Sequence, residues 1–266
     1  MAIGADVGGS RIKFVRLADN EVVWRGQVDV KRAWPELLAN ELVSLAEPEE
    51  PIGVGIAGLV DHHRGILRWA PHLDGVDVPI GAELSARLGR RVAVDNDANC
   101  ATRAEATSLA QDPVLVVMLG TGIGAGLWTG GDVYRGRSFA GEVGHMTIEP
   151  DGRVCRCGRL GCWETRISSW RLAEVGTSPA QLQDAGIWLG RGLFNLITIL
   201  DPAVNVVGGG VTAEHGDEIL PAALDEIARL SDIHRPPPPI VASRHGIWAG
   251  AIGAALLAQK DSQALS

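Results

Sequence analysis

The sequence predicts an α/β protein of two domains, and three observations carry that expectation. Apolar runs that suit strands alternate with segments of helical period along most of the chain. One unit occurs twice: a buried strand, a glycine-rich turn and a return strand, first in AIGADVGGSRIKFVRL and again in PVLVVMLGTGIGAGLWTGGDVY. At 266 residues the chain is long enough for two small domains, each with its own core. The expected domains are 1–113 plus 247–266, and 114–246.

Taken in order, residues 2–7 form an apolar run ending at Gly8-Gly9. RIKFVRL then mixes Ile12, Phe14, Val15 and Leu17 with charge, and EVVWRGQVDV follows the polar Asp19-Asn20 turn. This reads as three strands and two turns. Leu37, Leu38, Leu42 and Leu45 give 33–46 a helical period, and IGVGIAG is a buried strand. RVAVD is a strand leading into a helix over ANCATRAEATSLA, for which Asp97 is a suitable cap. Beyond the second hairpin, 181–200 is a long helix, DPAVNVVGGGVT a strand and glycine turn, and 217–230 a helix. Pro236 to Pro239 make a stiff extended connector. A last helix over 247–258 has Gly250 and Gly253 among alanines, which suits close packing against the N-terminal domain.

Composition excludes several functions. Hydrophobic residues are 46% and charged residues 21%, as in ordinary soluble globular proteins. A net charge of -8 and a pI near 5.4 argue against nucleic acid, which needs a basic face. No apolar run approaches membrane-spanning length, so no membrane partner is expected. The start, MAIGADVGG, lacks the basic and apolar segments of a secretion signal. The expectation is a soluble, cytoplasmic protein.

The densest chemistry lies in RSFAGEVGHMTIEPDGRVCRCGRLGCWE, residues 137–164. It holds His145, Cys155, Cys157 and Cys162, with Gly158 and Gly161 between the cysteines and Gly152 just before them. Glycine lets a short chain wrap tightly enough to aim several sulfurs at one point. One imidazole and three thiols are a common set for structural zinc, and four protein ligands leave no open position for a reacting water. The other reading is a disulfide from Cys155 or Cys157 to Cys162, which an oxidising compartment would favour. Glu142 and Glu164 flank the set. Alone, each would be a solvated surface glutamate; fixed by a metal knot, they would form a rigid wall of hydrogen-bond partners.

GEVGH followed by CRCGRLGCWE resembles the zinc-and-sugar motif of the ROK family of sugar kinases, matching its ligands, glycines and glutamate without a gap. NDAN, residues 96–99, is similar to the ROK catalytic motif. DVGGSRIK resembles the first phosphate motif of the actin-like ATPase fold, with Ser10-Arg11 where the usual form has Thr-Lys. By itself a Gly-Gly hairpin is only a turn and an isolated Asp only a cap; the motifs together give them meaning. The resemblance runs from Asp6 to Ala258 except for ISSWRLAEVGTSPAQLQDAG, which is shorter than the helical stretch that ROK proteins carry there.

The resemblance implies two actin-like (ribonuclease H-like) ATPase domains with an interdomain cleft. It implies transfer of the γ-phosphoryl group of ATP to a sugar hydroxyl, with Asp97 as the base. A carboxylate at a helix N-terminus is stabilised in its ionised form, which suits that role. Asn96, Asp97, Glu142, His145 and Glu164 would hold the sugar, and His145, Cys155, Cys157 and Cys162 a structural zinc. Backbone amides of glycine turns meet phosphate oxygens closely. The nucleotide would accordingly lie on Asp6, Gly8, Gly9, Ser10 and Arg11, on Gly120, Thr121 and Gly122, and on Gly208, Gly209 and Gly210. Asp6 would face the magnesium that accompanies ATP. A homodimer is also implied. Where ROK kinases usually read Pro-Asn-Leu with a Gly-Trp after it, in a loop that touches sugar, this chain has Pro71-His72-Leu73 followed by Asp74-Gly75-Val76. The acceptor is thus a hexose, first of all glucose at its 6-hydroxyl, or else an amino sugar or a cyclitol. Polyphosphate as donor finds no strongly basic groove in the composition. The reading of another class is a non-catalytic sugar-binding regulator. ROK repressors place a DNA-binding domain before the first phosphate motif, for which Asp6 leaves no room.

Overall fold

Every residue of the first strand, β1 (Ala2–Val7), is buried, because its sheet is covered on both faces. Ile3, Ala5 and Val7 point into a cluster with Trp34, Leu38, Leu42, Ile80 and Leu84. Ala2 points the other way, to Val15, Leu17, Ala104, Ala251 and Ala255. The computed structural model to which this strand belongs describes residues 1–30, 33–231 and 236–263. The chain divides into two units. The first comprises Met1–Leu109, Asp132–Ala140 and the run from Trp248; the second comprises Ala110–Gly131 and Gly141–Ile247.

In the first unit β1 is followed by β2 (Arg11–Ala18), β3 (Glu21–Asp29), α1 (Trp34–Leu45) and β4 (Ile52–Ile56). Then come β5 (Leu59–Asp61), β6 (Ile66–Trp69), β7 (Val76–Val78), α2 (Ile80–Leu88), β8 (Val92–Asn96) and α3 (Asp97–Leu109). The main sheet has the order β3-β2-β1-β4-β8; β1, β2 and β3 meander antiparallel, while β4 and β8 join in parallel. β5, β6 and β7 form a separate small sheet in sequence order. The second unit repeats the plan. β9 (Val114–Leu119) and β10 (Ile123–Thr129) are an antiparallel hairpin; β11 (Asp132–Tyr134) then belongs to the segment that returns to the first unit. After α4 (Ser169–Val175) and α5 (Pro179–Leu200), β12 (Val204–Gly208) pairs in parallel with β9. α6 (Gly210–Leu230) follows, and β13 (Ile240–Ala242) pairs in parallel with β12. Each unit is thus an α/β layer built on a glycine-turn hairpin extended by parallel strands, the duplication expected from the sequence. Among the described residues no helix is long and apolar enough to cross a membrane.

Several boundaries differ from expectation for local reasons. α5 begins at Pro179 because Ser178 and Gln181 form a reciprocal capping box. α6 begins at Gly210, seven residues early, because Gly209 at φ 95° turns the chain directly from β12 into helix. His215, at φ -133°, is the one non-helical residue within α6 and lies two residues before the expected start at 217. The segment after Pro239 enters β13, a strand of three residues too short to show a pattern.

The last helix, α7 (Ala249–Gln263), lies on β1, β4 and α3 within the first unit. Its contact face is alanine and glycine, so backbone meets backbone: a Cβ on Gly253 would overlap the Cys100 carbonyl of α3, and one on Gly4 would overlap the Ala251 carbonyl. Gly253→Ala is therefore expected to lower unfolding stability by about 1–3 kcal/mol, the range for overpacking a close contact. Urea denaturation followed by tryptophan fluorescence would read this, and an unchanged midpoint would show that α7 is not seated on α3 in this way.

Candidate functional site

In the first unit the candidate residues fall along one row of the sheet. Lys13 on β2 is directly opposite Asp6 on β1, and Asp6 is in register with Gly55 on β4. Opposed residues of neighbouring strands share a face, so the two side chains meet, with Lys13 Nζ 2.9 Å from Asp6 Oδ2. Gly55 has no side chain, and α3 enters over it: a Cβ there would lie 3.4 Å from the Cα of Asp97. Asp97 is consequently brought beside Asp6. Burial, and then the Asp6 carboxylate, push the Asp97 carboxyl up to about 7, against the opposing pull of the Ala98 amide and the Lys13 ammonium. This corrects the expectation that the helix terminus leaves Asp97 comfortably ionised: desolvation and a like charge outweigh the terminal amides.

Asp97 is also not the helix cap. It is the first residue of α3, and Asn96 caps the helix, its Oδ1 accepting from the Ala98 and Asn99 amides at 2.8 and 3.1 Å. Asn96 Nδ2 donates to the Gly58 carbonyl at 3.0 Å. Its amide group thus serves the β8–α3 junction first. The junction has a second support that sequence reasoning missed. Asp95, almost fully buried, accepts from Arg135 Nε at 2.8 Å, from Asn99 Nδ2 at 2.9 Å and from the Asn96 amide at 2.8 Å. Arg135 arrives from 40 residues away, beyond any local signal.

The first turn closes with the Gly8 amide donating to the Arg11 carbonyl at 3.0 Å. Gly9 lies against His72, since a Cβ there would approach the His72 Cβ to 2.8 Å. Arg11 pairs at the surface with Asp29 on β3, 3.6 Å away, and Ser10 is exposed.

In the second unit the stretch 142–164 has almost no regular structure beyond short 3-10 turns at Val143–His145 and Trp163–Thr165. Short backbone bonds fold it back on itself: Cys155 N to Arg159 O at 2.8 Å, Gly161 N to Arg153 O at 2.8 Å and Trp163 N to Met146 O at 2.9 Å. Gly161, at φ 67°, presses so close to the Glu149 carbonyl that no side chain fits. The four expected ligands converge. One donor atom from each of His145, Cys155, Cys157 and Cys162 lies within 4.8 Å of every other. Cys157 Sγ is 3.6 Å from Cys162 Sγ, and Cys155 Sγ is 3.6 Å from His145 Nδ1. A tetrahedral zinc with bonds of about 2.3 Å to sulfur needs edges of about 3.8 Å, so the donors fit the ion, and all the cysteines are free thiols. Burial holds the Cys155 and Cys162 thiols above their ordinary range; a divalent cation at this point would displace those protons.

The knot determines where Glu164 goes. Cys162, of the donor cluster, lies two residues before it. Trp163, fully buried, rests on Gly192 of α5 and donates from Nε1 to the Trp188 carbonyl at 2.9 Å. Glu164 Oε1 lies 2.9 Å from Cys155 Sγ and 3.8 Å from His145 Nδ1. With Nδ1 facing the sulfurs, Nε2 is the ring nitrogen left for another partner. Glu142 sits half-buried at the start of the turn that carries His145.

The second glycine turn lies under this carboxylate: a Cβ on Gly122 would sit 2.5 Å from Glu164 Oε2. Gly120 N donates to Gly122 O at 2.9 Å to close the turn, Thr121 is exposed, and Gly120 has open space where a Cβ would be. At the third turn Gly208 is walled by Ser243, Gly209 by the Leu119 backbone, and Gly210 faces open space. Side chains at Gly122 and Gly209 would therefore disturb the protein itself, whereas Gly120 and Gly210 have room.

The metal reading yields a prediction. Purified protein should carry about one zinc per chain, as a closed four-ligand site implies. Cys162→Ser should lose the metal and melt at lower temperature, because the ion binds only the folded state. Elemental analysis with thermal denaturation decides this; full stability without metal would remove the structural role.

The ROK family model matches this chain over residues 2–179 and 170–261. A glucokinase from Streptomyces coelicolor is 30% identical, covering 98% of each chain. An N-acetyl-D-glucosamine kinase from Citrobacter koseri is 32% identical, covering 98% of this chain and all of its own. Both alignments exceed 310 positions against 266 residues here, so these relatives carry segments that this chain lacks. Among solved structures, a ROK family glucokinase from Streptomyces griseus, in complex with glucose and AMPPNP, superposes with a TM-score of 0.88 at 27% identity, covering 97% of this chain and 99% of its own. A ROK hexokinase from Thermus thermophilus gives 0.84 at 31% identity and 99% coverage of both. With the family match spanning nearly the whole chain and the two-unit architecture shared, the chain belongs to the ROK family.

Proposed function

We propose that this ATP-dependent sugar kinase transfers the γ-phosphoryl group of ATP to a hydroxyl of a hexose, first of all the 6-hydroxyl of glucose. The observation that carries the reading is Asp97, presented at the β8–α3 junction beside Asp6, a residue of β1 just before the first glycine turn. Phosphoryl transfer asks little covalent chemistry of a protein. It needs in-line positioning, charge neutralisation and an acceptor for the hydroxyl proton. Asp97 takes the proton of the attacking hydroxyl. Asp6 would face the magnesium that comes with ATP, and that ion would supply the charge neutralisation. The glycine turns at 8–10, 120–122 and 208–210 serve the nucleotide through backbone amides. Glu142, His145 Nε2 and Glu164 accept from or donate to the sugar's other hydroxyls, with the metal knot fixing the last two. Such a network discriminates well, because a missing hydroxyl leaves buried partners unpaired. Asn96 acts chiefly through Asp97, since its amide is engaged in holding the junction.

A second acceptor, an amino sugar, is favoured by two observations. The N-acetyl-D-glucosamine kinases match as well as the glucokinases do, and His72 stands where the family's sugar-contacting loop usually has Asn. A panel of hexoses, amino sugars and cyclitols assayed for ADP release separates the readings: the first expects the highest kcat/KM with glucose, the second with an amino sugar.

The role of Asp97 makes its own prediction. A base raised to about 7 is protonated below that pH, so kcat/KM should rise with pH through about 7 and level off above it. Asp97→Asn keeps the size and the Ala98 contact but cannot take a proton, and turnover at saturating sugar should fall about 10²–10⁴-fold. Loss of sugar binding alone would appear instead in KM. A folded Asn variant with near-normal turnover would make Asp97 a purely structural residue.

A further inference from the structure

Lys13 has no place in the functions assigned above, yet it is the cation nearest to the reacting carboxylates. It lies on β2 three residues past the first glycine turn, on the same face as Asp6 and with its ammonium 2.9 Å from Asp6 Oδ2. Its side chain is 20% exposed and that of Asp6 is 10% exposed, so the pair sits in a recess rather than on open surface. A lysine ammonium has three N–H donors, and among the described residues Asp6 is its one polar partner. Arg11, the charge that the turn itself carries, is exposed and engaged with Asp29. Lys13 is thus the cation that sits with the two neighbouring carboxylates, Asp6 and Asp97.

We propose that Lys13 is a nucleotide-binding residue of this kinase: its ammonium, held by Asp6, donates to a phosphate oxygen of ATP over the first glycine turn. The inference rests on the kinase reading above. A buried ion pair is by itself a weak stabilising device, since desolvation offsets much of the attraction. A mid-strand lysine with two donors to spare beside a phosphate turn is better explained by an anion that completes its hydrogen bonds. The ammonium then also offsets the repulsion between that anion and the carboxylates that must stay close to it.

The test is MgATP binding by calorimetry together with steady-state kinetics on the full chain, comparing wild type with Lys13→Met, Lys13→Gln and Lys13→Arg. The two neutral variants should weaken MgATP binding and raise its KM by roughly 10- to 100-fold, the range for losing a hydrogen bond between charged groups. The KM for sugar should hardly move, and Lys13→Arg should recover most of the loss. Folded neutral variants that bind MgATP normally and only melt earlier would reduce Lys13 to a structural ion pair and overturn the proposal. So would a loss shared equally by sugar and ATP, or a loss that Arg fails to relieve. If wild-type protein bound MgATP in a Lys13-dependent way but phosphorylated no sugar, the acceptor reading would fail while the Lys13 assignment stood.

Discussion

Four donor atoms are drawn to one point in a stretch that otherwise only short backbone bonds and the buried Trp163 hold in place. Residues 142–164 carry no helix of more than one turn and only isolated bridges, Thr147 with Cys162 and Val154 with Leu160. Such a segment has little periodic hydrogen bonding to offset the entropy of fixing its backbone. A metal bound only by the folded form supplies that free energy directly. The consequence extends past the ligands. Glu164 is two residues beyond Cys162 and touches Cys155, while its other oxygen lies over Gly122 of the second glycine turn. His145 belongs to the donor cluster itself. The cluster thus holds His145 and Glu164, the two groups proposed for the sugar, close to the glycine turn proposed for phosphate.

The first unit solves a different problem, which is to keep two carboxylates close together and useful. Asp6 and Asp97 lie close together in a partly buried place, and burial first, then the Asp6 charge, raises the titration of Asp97. The fold tolerates it because the junction is over-determined. Asn96 caps α3, Asp95 ties the end of β8 to Arg135 and Asn99, and Gly55 leaves room for the helix to start where it does. A carboxyl near neutrality is well matched to proton transfer at physiological pH, which suits the role proposed for Asp97.

Much of this was legible in the sequence. The hairpins at Gly8-Gly9 and Gly120-Thr121-Gly122 announce themselves by apolar strands meeting at glycine, and the metal set by ligand type within a short span. The buried helix face of α7 was visible as alanines spaced by Gly250 and Gly253. What stayed hidden depends on partners distant in the chain. Strands of three residues, such as β7 and β13, have no pattern of their own and exist because a neighbour offers hydrogen bonds. The Asp95–Arg135 pair spans 40 residues. The exchange of roles between Asn96 and Asp97 turns on one residue of helix boundary, a difference that propensity does not resolve. Lys13 read as one more charge in an amphipathic strand until the register set it opposite Asp6.

The central claim is that the metal knot builds the sugar-recognising wall. Its most direct test is calorimetric titration of the chain with metal bound and with metal removed by a chelator under reducing conditions, using the sugar that the protein phosphorylates and, separately, MgATP. The account predicts that removal abolishes or severely weakens sugar binding, and that restoring zinc recovers it while the first unit's fold persists throughout. Sugar affinity that is the same with and without the metal would contradict it.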